Sequence, residues 1–141
     1  MRNITNTIAR TTGRRELRAI FKACGFKDGL VVGTEEKAEP DDFIYWYNKA
    51  RDGQAGNYII YEAVASEPTR RADDVVIGRE FYAQVDVFST RSFESKFFID
   101  TLSRLEDKLA AAGFEVDARE EDYEPDTRLH HQVYFIAKQY F

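Results

Sequence analysis

The chain has 141 residues, enough for one domain that buries most of its unfolded surface. Hydrophobic residues at 43%, with 11 Phe and 8 Tyr, supply a core, and no apolar run approaches the roughly 20 residues of a helical membrane span. The net charge of -5 argues against a dedicated duplex binder, and the single Cys24 excludes an internal disulfide and fits a reducing compartment.

The first eight residues have no apolar stretch, so no secretory leader is expected. Residues 1–11 show no clear periodicity and are expected to form a flexible arm or a frayed extension of the helix behind them. Leu17, Ile20, Phe21 and Cys24 recur at helical spacing and predict that helix, with Thr12 as its N-cap. Gly25 suits the left-handed position that ends a helix, and Phe26 can fold back as its apolar contact. Residues 27–42, with Gly29, Gly33 and Pro40, read as a long loop. The aromatic block Phe43-Ile-Tyr-Trp-Tyr47 predicts a strand, and Tyr58 to Val64 a second.

Pro68 to Asp74 predicts a turn or excursion, after which 75–77 are extended again. Phe81, Ala83, Val85 and Val87 alternate with polar neighbours, the pattern of a strand over 81–89 with one buried face. From about Ser92 to Ala112, Phe93, Phe97, Phe98, Leu102, Leu105 and Leu109 form one stripe and predict a long amphipathic helix. Gly113 and Phe114 repeat the stop of the first helix. Residues 115–126 read as a solvated acidic turn. The closing strand, 129–141, places Val133, Phe135 and Ala137 on one face and Tyr134, Ile136 and Tyr140 on the other. Such a strand lies centrally, or turns one face to another subunit. The element order predicts a single α+β domain, 1–141, with a mostly antiparallel sheet and two main α-helices packed on one face.

No constellation for catalysis emerges. His130 and His131 are adjacent, so on a strand they point to opposite faces and cannot easily share one metal ion. The carboxylates of 115–126 lack the spacing of a calcium loop. Cys24 sits on an apolar stripe rather than in the electropositive, partly exposed setting that activates a thiol. Glycine-rich phosphate loops are missing, and the aromatic block follows acidic residues instead of the Lys and Arg that flank base-stacking platforms. The expectation is therefore no enzyme activity, no cofactor and no metal.

The charge distribution is more informative. Residues 1–27 hold seven cations and only Glu16, a local charge of +6, whereas 115–126 hold seven carboxylates and only Arg119, a local charge of −6. Such regions are either two solvated surfaces that never meet, or patches by which one subunit's basic end faces a neighbour's acidic loop and orientation is set. Arg14, Arg15, Arg70, Arg71, Asp73, Asp74, Glu120, Glu121 and Asp122 are the candidate contact residues for a neighbouring subunit or an assembly partner.

From about Tyr58 onward, Tyr58-Ile-Ile-Tyr-Glu62, Ala72-Asp-Asp74, Gln84-Val-Asp-Val-Phe-Ser89 with the helix closing at Gly113-Phe114, and Tyr123-Glu-Pro-Asp-Thr127 leading to His131 follow one another in a recognisable order. Together they cover about 60% of the chain. This portion resembles the tail terminator (tail-completion) proteins of long-tailed bacteriophages and prophages. It departs from them at Arg128, where family members often carry glycine. The resemblance implies a sheet-and-two-helix subunit that closes into a ring, usually a hexamer, capping the tail tube, stopping its polymerisation and meeting the head connector. It implies as partners further copies of itself, the tail-tube protein and the head-completion protein. DNA would pass through the lumen without specific binding, and no membrane is involved. The implied location is the virion tail, and the host cytoplasm during assembly. The alternatives are a head–tail joining or other minor tail protein of the same fold, and a small-ligand module with the aromatic block lining a pocket.

Overall fold

The computed structural model describes residues 3–28, 43–46 and 57–141. In chain order the elements are α1 (Asn6–Ala23), β1 (Lys27–Asp28), β2 (Phe43–Trp46), β3 (Asn57–Ala72), β4 (Val75–Ser89), α2 (Lys96–Ala111), β5 (Glu115–Glu124) and β6 (Leu129–Tyr140). Among the described residues the strands form one sheet in the order β1-β2-β3-β4-β6-β5. The first three run parallel, and β3, β4, β6 and β5 are antiparallel neighbours. This is the expected α+β architecture with a mostly antiparallel sheet.

Both helices lie on one face. Leu17, Ile20 and Phe21 of α1 and Phe98, Leu105 and Leu109 of α2 share a core with Ile59, Tyr61, Phe81, Val85, Val87 and Tyr134 of the sheet. The strand residues in this set alternate along β3, β4 and β6, as period-two packing demands. Strand β6, apolar on both sides, lies between β4 and β5 as expected. The only acid of α1, Glu16, turns inward to pair with Lys138 of β6, and Tyr140 Oη donates to its other oxygen at 3.4 Å.

Several boundaries move. Helix α1 starts at Asn6, so residues 6–11, expected as an arm or frayed extension, are its first turns. Its N-cap is Thr5, whose hydroxyl accepts from Ile8 N at 3.1 Å, whereas Thr12 is exposed within the helix. The upstream stripe is Ala9 and Gly13, side chains too small to register as apolar periodicity. Gly13 has a reason to be there: a Cβ would sit 2.7 Å from the Phe81 ring. Asn3 and Ile4 are bound to the sheet, Val76 N donating to Asn3 Oδ1 at 3.2 Å and Ile4 N donating to Val76 O.

Gly25 and Gly113 both have positive φ, 102° and 91°, and Phe26 N and Phe114 N reach back to Phe21 O and Leu109 O. Both helix stops form as expected. Helix α2 begins at Lys96 with Ser95 as N-cap, and Phe93, placed in the helix by its spacing, precedes it and packs against the core from the connection.

Pro68 to Ala72 is strand, not turn, because β3 and β4 pair out to Ala72↔Val75. The turn is Asp73-Asp74 alone, with φ of 49° and 64°, the two-residue geometry whose twist suits a hairpin. Residues 115–124, expected within an acidic turn, form the edge strand β5. Its side chains are nearly all exposed, so no buried face imposes apolar alternation, and a charged edge resists unwanted pairing. Of the loop expected at 27–42, Lys27–Asp28 is strand and the remainder lies outside the described residues. Phe43–Trp46 is strand as expected; the side chains of the aromatic block lie outside the described residues.

Candidate assembly surface

The sheet face away from the helices divides into two halves. Near the Asn57 end, Tyr58, Ile60, Phe88 and Leu129 are buried together, with Tyr58 stacked on Phe88 at 4.7 Å and Phe88 on His131 at 4.0 Å. His131 Nε2 lies 2.8 Å from Asp86 Oδ1, and Gln84 Nε2 donates to both oxygens of that carboxylate at 3.1 Å. The pair is thereby satisfied across β4 and β6 as a structural contact. His130 points the other way, against Phe93, Phe98 and Tyr123. The opposed faces read from adjacency are therefore present.

Toward the hairpin end the same face is open. A groove of about 590 Å³ runs over β3, β4, β6 and β5, with Val64, Tyr82, Phe135 and Ala137 among its lining and Glu67, Glu115 and Asp117 as its acids. Val64 is 54% and Phe135 40% exposed, unusual for large apolar side chains on a sheet whose other face is closed. Arg119 sits 5.0 Å over the Phe135 ring and pairs with Asp117 at 2.8 Å. Desolvation, and after it the carboxylates of Glu80, Glu67 and Glu115, pushes the Tyr82 phenol up.

The β3–β4 hairpin projects from this end. Strand β6 pairs with β4 only as far as Arg79↔Tyr140, so among the described strands residues 75–78 pair with β3 alone, while Asn3 and Ile4 bond to Val76 on the other side. The projection is braced at its root. Arg79 Nε donates to Ile4 O at 2.9 Å and its Nη1 to Ser66 O at 2.8 Å. Gln139 Nε2 donates to Thr69 Oγ1, and Arg70 lies 5.8 Å over the Phe141 ring. Gly78 lets Phe141 and Thr69 close in, since a Cβ there would lie 3.3 Å and 3.2 Å from them.

The structure does not gather the nine candidate contact residues into one site. Arg70, Arg71, Asp73 and Asp74 are together, exposed, on the hairpin; Glu120, Glu121 and Asp122 are exposed on β5; Arg14 is half-buried and Arg15 exposed on α1. Glu124 pairs with Leu129, and Leu129 begins at the Ser89 end of β4, so the acidic end of β5 lies at the far end of the sheet from the hairpin tip. The groove residues Val64, Tyr82, Phe135 and Arg119 were missed. Their signal was the doubly apolar final strand, which identified a face without saying which part stays open.

Cys24 is buried at the end of α1, and burial pushes its thiol up, against the smaller lowering effects of Lys108 and Arg104. A raised pKa keeps this thiol mostly protonated, which disfavours the thiolate that reacts. Among the described residues no cluster of three or more His, Cys, Asp or Glu is placed to hold a metal ion, and no helix is long and apolar enough to cross a membrane. No protein-family model matches this sequence, and no curated protein does.

Proposed function

We propose that the chain is a structural subunit that docks against copies of itself in a closed ring, in the manner of a bacteriophage tail terminator. It caps the tail tube, halts its growth and offers a face to the head-completion protein. The observation that carries this reading is that the exposed sheet holds two unlike features: a braced projecting hairpin, and an open apolar groove at its root that runs across to the acidic edge strand. Two different patches on one subunit make a heterologous contact, which closes into a ring when the rotation between neighbours permits. The motif order from Tyr58 to His131 supports the tail-terminator form of that ring, and the acidic charge suits a lumen that must release DNA. The role needs no reaction, cofactor or metal.

Solution mass by sedimentation velocity, with negative-stain imaging, tests it. Annular particles, formed in free solution at high concentration or on preassembled tail tubes, are the expected result. A protein that stays monomeric under both conditions, and leaves tube length unlimited, rules the reading out.

A further inference from the structure

Resting on the ring reading, we infer that the contact between neighbours is made by the β3–β4 hairpin tip of one copy seated in the open-face groove of the next. The outer edge of β3 beyond Tyr61 and the edge of β5 are poor alternatives. Pro68 has no N–H to give, and β3 carries register shifts at 63/65, 68/70 and 70/71, so its outer edge resists strand addition. Strand β5 carries six carboxylates and one arginine, so two copies of it repel. The described surface also offers a braced knob and a hollow.

Their chemistry matches. The hairpin presents Arg70 and Arg71, then Asp73 and Asp74 at the turn. The groove offers Glu67, Glu115 and Asp117 for the cations and Arg119 for the anions, over an apolar floor. Charges at the rim set register while the floor supplies burial. The hairpin also stands clear of the sheet: the five residues from Pro68 to Asp73 extend about 16 Å at strand spacing. A hairpin cannot fill the groove at its own root, since Val64, Ala65 and Glu67 belong to both, so a hairpin seated there comes from another copy.

Self-association of charge-reversed full-length chains tests the contact. Arg70→Glu with Arg71→Glu is expected to weaken assembly roughly a hundredfold, the scale of like-charge juxtaposition at an interface. Glu115→Arg with Asp117→Arg should do the same, and the chain carrying all four changes should recover assembly. A mixture of Arg71→Cys and Phe135→Cys chains should form a disulfide between unlike copies under mild oxidation. Far-UV circular dichroism, unchanged in every variant, confirms that folding is intact. If the wild type assembles and either pair of reversals leaves that assembly untouched, the contact is wrong while the ring stands. The contact fails equally if the fourfold chain does not recover, or if Arg71→Cys links only to itself. A wild type that never assembles removes the ring reading and this contact with it.

Discussion

The two faces of this sheet come from the same strands, one residue apart, and obey different rules. Under the helices the strand positions are apolar and closed: Phe81, Val85, Val87 and Ile59 are fully buried. On the opposite face the strands mix Tyr82, Phe135 and Val133 with Glu62, Gln84, Asp86 and Asp117. A face meant for water has no use for an exposed Phe and Val, and a face meant for the core would not carry four carboxylates or amides. Mixed composition with an open apolar floor is the character of a surface that meets a partner some of the time. On the ring reading proposed above, the difference separates where folding is determined from where association would be.

Truncation separates the two most sharply. Phe98→Ala, under the helices, is expected to cost about 3–5 kcal/mol, since the aromatic leaves a cavity the core fills only in part. Phe135→Ala on the open face should stay within about 1 kcal/mol in the monomer while abolishing assembly. Urea titration of both variants, paired with sedimentation, checks this; equal stability losses would dissolve the distinction between the faces.

Gly13→Ala asks how tightly α1 sits on the closed face. Alanine gains roughly 1 kcal/mol of helix propensity over glycine. Against that, its methyl would meet the Phe81 ring at 2.7 Å, an overpacking worth about 1–3 kcal/mol. Net destabilisation is expected, and a rise in melting temperature would show that α1 can lift away freely.

A smaller effect follows from pH. Burial, then Glu106, pushes the Tyr134 phenol up, and burial, then Glu16, does the same to Tyr140. Unfolded tyrosine ionises near pH ~10, so the folded protein keeps these protons where the unfolded chain sheds them. Their contribution is fully present below about pH 10 and is lost as pH climbs beyond it. Tyrosinate absorbance from these two should appear only together with loss of circular dichroism, and Tyr140→Phe should soften the alkaline decline. Complete ionisation with the fold intact would contradict the assignment.

The same contrast explains what was legible in the residues themselves. The closed face was readable because period-two and helical stripes of Phe, Leu and Val are imposed by burial: β4, α2 and β6 all follow from it. The first turns of α1 were not, because Ala9 and Gly13 pack through their smallness. Strand β5 was hidden because an edge that half-buries only Val116 and Glu124 shows no apolar alternation, and Pro68 disguised a long hairpin arm as a turn although an unpaired edge tolerates proline. For the candidate surface, charges marked the hairpin and β5, but their distance apart and the groove between strands required the register.

The smallest test concerns turn geometry in the part of the chain that turns outward. Gly25 and Gly113 meet their positive φ with the residue best suited to it, whereas Arg128 adopts 61° as an ordinary L-residue, held by Arg128 N donating to Glu124 O at 2.7 Å. The left-handed conformation costs such a residue about 1–2 kcal/mol. Glycine removes that strain but gives the unfolded chain extra freedom worth roughly 0.5–1 kcal/mol. The balance predicts that Arg128→Gly stabilises slightly, by about 0.5 kcal/mol or a little more, raising the melting temperature by a degree or two. Gly113→Ala, the reverse exchange at the end of α2, should lower it instead. If Arg128→Gly destabilises, the arginine side chain contributes more to the β5–β6 turn than its backbone strain removes, and the acidic strand beside it becomes the place to look for its partner.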